Sequence, residues 1–499
     1  MLKTEHSSYL KEYINSEVNW YPWGKEAFEK AKREKKAIFL SIGYSGSQWC
    51  EMMKSESFNQ PSIIKLLNQN FINIKVDKDE RTDIDKYYKN VYKLMNGQRC
   101  GSPISIFMTE NAEPFYTATY IAPLPQGNVL GFEELLITVV EKYRNDKITM
   151  VQKGKEILSY IHPNEEKIEA TRLNIDILNT IKLQTLEVLD KEDGGFGQAP
   201  KFPHTSTLNL ILDAYEMTKD KELLKAVLLT LEKMAVGKFH DKLNGGFYRY
   251  CNDKAWNIPR FEKTAYDNAH LSAIYLRAYQ ITGDDFYKTT AFKTIDFMLN
   301  QMSTDRLFYA NSVTKNDGSD FTDTKIITSW NAMMIDTLFK ASLIDKKYYD
   351  RAVYTLETLL EQRFINGQLF HTQNIEAFLE DYAYLGTALL SAYRVTEQEE
   401  YFILAETLSN RAIEQFYQYG KWKFSNDGLS LYDDIYDTLY PSAMSTMVAL
   451  LHDISFLIES DYNQLVFKTL EMNSYELMRH PLSSPRMAQV LLRHLKKMI

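Results

Sequence analysis

The chain has 499 residues, 44% hydrophobic and 25% charged, with a formal net charge of −8. That length suits two or three domains, and the acidic balance disfavours a nucleic-acid partner. The start lacks an apolar h-region with a cleavage site, and no stretch approaches the roughly 18 apolar residues of a membrane span, so a cytoplasmic protein with no membrane partner is expected. Three cysteines, Cys50, Cys100 and Cys251, are too few for a disulfide framework and lack metal-ligand spacing, so neither metal nor cofactor is expected.

Up to about residue 145, helix and strand signals alternate. Residues 24–36 are helix-like and charged, and Ile38 to Gly43 is strand-like. Residues 50–70 are mostly helical, with a break at Asn59-Gln60-Pro61. "FINIKVD" at 71–77 alternates apolar and polar residues as a strand should. Residues 82–95 read as helix, "ISIFMT" and "PFYTATY" as strands around the turn 110–113, and a further helix starts near Phe132. The order βαβ, α, ββ, α is that of a thioredoxin: a mixed sheet covered on both faces. Residues 161–172 are charged and weakly patterned, which places a domain boundary there and predicts domains at 1–160 and 161–499.

Beyond it, twelve helix-like segments run from 173 to 497, joined by alternating short and long connections. The long ones share a turn followed by an aromatic strand-like piece: "GGFGQAPKF", "GGFYRYCND", "DRLFYANS", "NGQLFHTQ" and "GKWKFSND", starting roughly 51 to 61 residues apart. A two-helix unit cannot bury its own apolar face, but six units in a ring can. The expected architecture is therefore an all-α (α/α)6 toroid with its long loops, and its ligand cleft, at one end. An open solenoid is the structural alternative.

The strand ending at Gly43 leads into "SGSQWCEMM", where a thioredoxin-type protein keeps its Cys-x-x-Cys pair. Here Ser47 holds the place of the attacking thiol and only Cys50 remains. A hydroxyl with no adjacent base does not supply the thiolate that exchange requires. Packing in the core is the plain reading of Cys50. A single-thiol role is the other, as is a pairing with Cys100, which precedes Pro103 in the loop that lies against the redox site of such folds.

In the second domain, polar residues gather on the long loops. Lys201 and His204 lie on the first. Arg249, Trp256, Arg260, Glu262, Tyr266 and Asp267 lie on or just after the second. Trp330 follows the third, and Asp381 and Tyr382 follow the fourth. Carboxylates among aromatic rings suit a carbohydrate or another small polar ligand. Glu262, Asp267 and Asp381 are the catalytic candidates, and the others are ligand-binding candidates. Glycosidase and epimerase or isomerase chemistry both remain open. So does a structural reading, in which acidic residues at helix starts are caps and "IPRFEK" is a buried ion-pair seam.

The stretches "NWYPWGKEAFEKAKREKKAIFLSIGYS", "FINIKVDKDERTDID" and "SPISIFM" resemble the spermatogenesis-associated, thioredoxin-like family (domain of unknown function 255). So do "GGFGQAPKFPH", "GGFYRYCNDKAWNIPRFEKTAYDNA", "TSWNAMM" and "EDYAYL". The resemblance implies a thioredoxin-like domain followed by a six-hairpin toroid similar to glycosidases and N-acylglucosamine 2-epimerase, with an activity that is largely unassigned. It also shows what is missing. Ser47-Gln48-Trp49-Cys50-Glu51 stands where family members usually carry Cys-His-Trp-Cys-His, and Pro259-Arg260-Phe261-Glu262-Lys263 where they carry Pro-His-Phe-Glu-Lys. The expectation is a redox-impaired first domain fused to a toroid with a carbohydrate-type cleft. A thiol-dependent redox or chaperone-like protein and a non-catalytic interaction scaffold are the alternatives.

Overall fold

The computed structural model describes all residues except 1, 162–169, 316, 427–428, 430 and 499. The chain forms two units, one comprising Met1–Glu166 and Lys315–Asp317 and a second comprising Lys167–Thr314 and Gly318–Ile499. Most of the segment 161–172, expected to carry the boundary, lies outside the described residues.

The first unit is built on a five-stranded sheet: β1 (Trp20–Pro22), β2 (Ala37–Gly43), β3 (Phe71–Asp77), β4 (Ile104–Met108) and β5 (Pro114–Ala118), in the order β1-β3-β2-β4-β5. The β1, β3 and β2 strands are parallel, and β4 and β5 are antiparallel to their neighbours. β1 has three residues, too few for a period-2 pattern to show. Every residue of β2 and β3 is buried. The alternation in β3 therefore does not mark a solvent face, because each polar side chain has found a partner inside. Asn73 donates to the Leu67 carbonyl (3.4 Å), Lys75 to Ser41 Oγ (3.0 Å), and Asp77 accepts from Ser7 Oγ (2.6 Å). A buried polar group without such a partner would cost about 1–3 kcal/mol. Around Lys75 the core is aromatic: Tyr13, Trp20, Phe39, Phe58, Phe107 and Phe132 meet with ring centroids 5.0 to 6.4 Å apart.

The second unit alternates outer and inner helices. The outer ones are Ile177–Val188, Lys221–Val236, Asp285–Gln301, Tyr349–Arg363, Glu399–Phe416 and Tyr462–Met472. The inner ones are Thr205–Thr218, Ala265–Thr282, Thr328–Ser342, Leu379–Thr396, Ala443–Ile454 and Pro485–Met498. Each inner helix packs on the inner helices before and after it, and Pro485–Met498 packs on both Ala443–Ile454 and Thr205–Thr218. That last contact closes the ring and rules out an open solenoid. Burial follows from the layering. Thr328–Ser342 is buried at all but two positions because it touches helices on both sides and behind it, whereas Tyr349–Arg363 buries a single stripe. The long connections enter the inner helices at their N-termini, and the short ones, such as 283–284 and 397–398, lie at the opposite end. The aromatic strand-like pieces form two-residue hairpins (Phe364–Ile365 with Gln368–Leu369, Tyr417–Gln418 with Lys421–Trp422). Glu262–Thr264, Asn311–Thr314 and Asp320–Asp323 make a three-stranded antiparallel sheet.

Candidate functional site

At the redox position of the first unit, Ser47 caps the helix Gln48–Met52. Its Oγ accepts from the Cys50 N–H (3.2 Å) and donates to the Ser102 carbonyl (3.2 Å). The hydroxyl that replaces the attacking thiol is thus tied to the backbone at both ends. Cys50 is 3% exposed and belongs to the hydrophobic core. A Cβ placed on Gly43 would lie 2.6 Å from Cys50 Sγ and 2.3 Å from the Tyr9 hydroxyl, so the thiol is wedged between β2 and Tyr9. Burial pushes its pKa up, against the lowering effects of Ser47 and the nearby Lys75 ammonium. Pro103 follows a cis peptide and is buried. Cys100 is half-buried, and burial pushes its thiol up to about 11. All three cysteines are free.

In the second unit, the long-loop residues are joined in pairs by a repeated device. Asp190 and Asp241 each open a turn that closes on a Gly-Gly-Phe. Asp190 Oδ1 accepts from the N–H groups of Glu192 and Asp193, and Asp241 Oδ1 from those of Leu243 and Asn244. The second carboxylate oxygen takes a buried lysine. Lys201 Nζ lies 2.9 Å from Asp190 and donates to the Gly194 carbonyl, and Lys263 Nζ lies 2.7 Å from Asp241 and donates to the Gly245 carbonyl. Burial opposes ionisation of Asp190, but the lysine and the two N–H groups outweigh it and hold the carboxyl at about 2. Trp256, fully buried, donates its indole N–H to the Asp193 carbonyl and packs on Phe239 with centroids 5.0 Å apart. Lys201 and Trp256 therefore pin one loop to the next.

The other sequence candidates are placed as follows. Glu262, 1% exposed, accepts from Arg249 Nη1 with both oxygens (3.0 and 3.1 Å). Asp267 forms a capping pair with Thr264, accepting from its Oγ1 at 2.7 Å, while its N–H donates back to that oxygen. Asp381, fully buried, accepts from the N–H groups of Ser329 and Phe378 and lies 2.9 Å from His371 Nδ1. Tyr382 is buried against Phe416. His204 is exposed at the start of the Thr205–Thr218 helix, and Arg260 is half-buried, its N–H donating to the Tyr250 carbonyl. Tyr266 and Trp330 contact each other (4.8 Å), and Tyr266 meets Tyr440 (5.1 Å), which in turn meets Tyr384 (6.0 Å). This aromatic group occupies the long-loop end of the ring.

Inside the ring lies a cavity of about 740 Å³, lined by all six inner helices and by none of the residues singled out from the sequence. Its lining is a polar stripe at helical spacing: Ser206, Asn209, Asp213 and Glu216 on one helix; His270, Arg277 and Gln280 on the next; Asp336 and Lys340 on the third. That spacing, on helices otherwise apolar, is the signal by which the sequence could have shown these residues. At the short-connection end Glu216, Gln280, Lys340 and Lys496 are exposed, so the cavity opens there. Arg277 Nη2 lies 2.5 Å from Asp213 and 3.2 Å from Glu216, and Gln489 Nε2 donates to the other Asp213 oxygen (2.8 Å). Asp336 is held by Lys340 (2.5 Å) and by Ser391 Oγ (2.6 Å). Deeper in, His270 lies 6.3 Å from Tyr384 between ring centroids, and its Nε2 is buried without a hydrogen-bond partner, as is Thr446 Oγ1. Burial, with the charges of Lys340 and Arg486, lowers the His270 pKa to about 4. At neutral pH it is therefore an uncharged imidazole with a free nitrogen. Among the described residues no group of three or more His, Cys, Asp or Glu side chains is placed to hold a metal.

Residues 1–162 match the family model described as Thioredox_DsbH, protein of unknown function, DUF255. The first unit is similar to a DUF255 domain over nearly its whole length. Spermatogenesis-associated protein 20 from Rattus norvegicus is 36% identical over 310 residues, which is 60% of this chain and 39% of that protein. The Homo sapiens protein of the same name is 34% identical over 307 residues, with the same coverage. The matched stretch thus spans about two fifths of those relatives. Among solved structures, a sugar epimerase from a ruminal bacterium superimposes with a TM-score of 0.52 at 13% identity, over 64% of this chain and 98% of that one. A D-mannose isomerase gives 0.52 at 14%, over 64% and 96%. Cellobiose 2-epimerase from Spirochaeta thermophila gives 0.52 at 12%, over 65% and 95%. At such identities the likeness is one of fold: the second unit is a six-hairpin toroid. Among the described residues no helix is long and apolar enough to cross a membrane.

Proposed function

We propose that the lumen of the toroid is the functional site and that it takes a small polyhydroxylated ligand of the carbohydrate class. The observation that carries this reading is the unpartnered Nε2 of His270 in the wall of a 740 Å³ cavity. A buried polar atom without a partner costs free energy that a hydroxyl-bearing ligand would recover. The cavity volume suits a mono- or disaccharide. Asparagine, glutamine, threonine and the Arg277–Asp213 pair around the wall offer donors and acceptors in the mixture that hydroxyl groups require. Known epimerases and isomerases share the fold, which supports the same class.

The chemistry favoured is proton exchange rather than glycoside hydrolysis. Hydrolysis needs two carboxyl groups facing each other, free to act as acid and base. Asp213 and Asp336 are both engaged with cations, whereas His270 is a neutral imidazole in the cavity wall. The first unit is read as a scaffold that has given up dithiol exchange, since Ser47 replaces the nucleophile and Cys50 is buried.

Isothermal titration against a panel of neutral and acidic mono- and disaccharides is the test. At least one member should bind, and His270→Ala should weaken it tenfold or more, about 1.4 kcal/mol. If the whole panel fails to bind, the carbohydrate reading is wrong.

A further inference from the structure

The lumen's charge is opposite in sign to that of the protein around it. The chain carries a net −8, yet the cavity wall holds three carboxylates (Asp213, Glu216 and Asp336) against five cations. Most of those cations are spoken for. Arg277 is paired with Asp213 and Glu216, Lys340 with Asp336, and Arg493 with Asp453 at 3.2 Å. Lys496 is exposed at the mouth.

Arg486 is different. Among the described residues no carboxylate lies within ion-pairing distance of its guanidinium, and the one side-chain contact it makes is a long one, Nη1 to Gln489 Oε1 at 3.4 Å. Its backbone N–H, not its side chain, engages Asp437 (2.9 Å). It stands in the first turn of the last inner helix, and His270 and Tyr384 stand in the second turns of theirs, so the three line the same inner end of the cavity. The positive charge of Arg486 is felt by both neighbours: with burial and Lys340 it holds the His270 pKa down, and it acts against burial at Tyr384.

We infer that Arg486 is an anion-recognition residue and that the lumen's ligand is an acidic sugar, its carboxylate or phosphate group seated on this guanidinium. The inference rests on the carbohydrate reading above and narrows it. Asp213, Asp437 and Asp453 act on this guanidinium only without ion-pair contact, and a planar carboxylate or a phosphate seated on it would add two parallel, charge-assisted hydrogen bonds. The surplus of cations in a low-dielectric channel also draws anions inward, against the net charge of the whole protein.

The test compares D-glucose, D-glucuronate and D-glucose 6-phosphate by isothermal titration on the full chain at pH 7.5, at low and moderate salt. At least one acidic sugar should bind tenfold or more tightly than glucose, with an advantage that shrinks as salt rises. Whichever acid is preferred tells carboxylate from phosphate. Arg486→Gln should abolish the preference, and Arg486→Lys should keep part of it, which also shows that the site survives substitution. Equal affinity for all three sugars, or a preference unchanged in Arg486→Gln, would overturn the inference and leave the carbohydrate reading standing. No binding by any of the three, nor by the wider panel, would overturn both.

Discussion

At the scale of single residues, the same chemical type plays opposite roles in different surroundings. Lys201 is a fully buried cation of the second unit and Arg486 a half-buried one. Lys201 has a carboxylate and two carbonyls around its ammonium and holds a loop together, whereas Arg486 has no carboxylate and faces a cavity. Lys201→Ala would leave Asp190 charged beneath the loop, and it should cost about 3–5 kcal/mol in a denaturant titration. A loss below 1 kcal/mol would mean that water reaches the pair. The thiols can be examined in the same spirit. With Cys50 buried and its pKa raised, and Cys100 near 11, roughly one Cys100 in a thousand is ionised at pH 8. Native protein should therefore resist iodoacetamide at both positions, as read by peptide mass spectrometry, and rapid labelling of Cys50 would restore thiol chemistry as a candidate. His270 offers a pH signature. Its value near 4 in the folded protein lies below the ordinary 6.5, so between those pH values the unfolded chain holds a proton that the folded chain does not. The stability this contributes is present at pH 7 and is lost as the pH falls from about 6.5 toward 4. His270→Gln should flatten that limb of the curve of Tm against pH.

Among the elements, the Gly-Gly-Phe turns carry the register of the toroid. Gly194 has φ +65°, and a Cβ there would meet the Thr230 Cα at 2.7 Å. Gly245 has φ +83°, and its Cβ would meet the Lys293 carbonyl oxygen at 2.8 Å. Both turns press their backbone onto the outer helix that follows, which is why these positions are glycine. Gly283, at the end of the Ala265–Thr282 helix, has a similar φ of +72° but open space around it. Alanine at Gly283 should cost about 1 kcal/mol, from the left-handed backbone alone. Alanine at Gly194 or Gly245 should cost distinctly more, since backbone atoms must move as well. Thermal melts of the three variants separate strain from collision, and equal losses would mean that the turns can shift outward freely. The helices themselves were legible in the sequence through their period and their caps: Asp220 and Asp284 each accept from an N–H two residues on, as acidic caps do. The polar stripe of the lumen is visible in the sequence only as polar residues at helical spacing, a pattern that a solvated helix face shows equally. In the long loops, clustered Asp, Glu, Lys and Arg look the same whether they bind a ligand or bind one another. Only the distances, such as 2.7 Å from Lys263 to Asp241 and 3.0 Å from Arg249 to Glu262, tell the two apart.

For the whole molecule, the ring is closed by contacts between segments nearly three hundred residues apart: the Pro485–Met498 helix against Thr205–Thr218, and the Ile177–Val188 helix against residues 474–483, where Gln184 donates to the Arg479 carbonyl. A chain ending before Pro485 should lose the lumen, expose apolar faces of both neighbours, and become sensitive to limited proteolysis throughout the second unit, while peptides from 1–161 remain protected. Uniform protection would show that five hairpins suffice. The sequence by itself determined the two kinds of organisation, the helix–loop repeat and the loss of the redox nucleophile, because propensity, period and the identity of residue 47 are local properties. Tertiary structure alone decided that the repeat closes, which helix face looks into the cavity, and which charges neutralise each other. Those outcomes depend on pairings across long sequence separations, where burial converts an ordinary lysine into a loop pin and leaves one arginine with no carboxylate in direct contact.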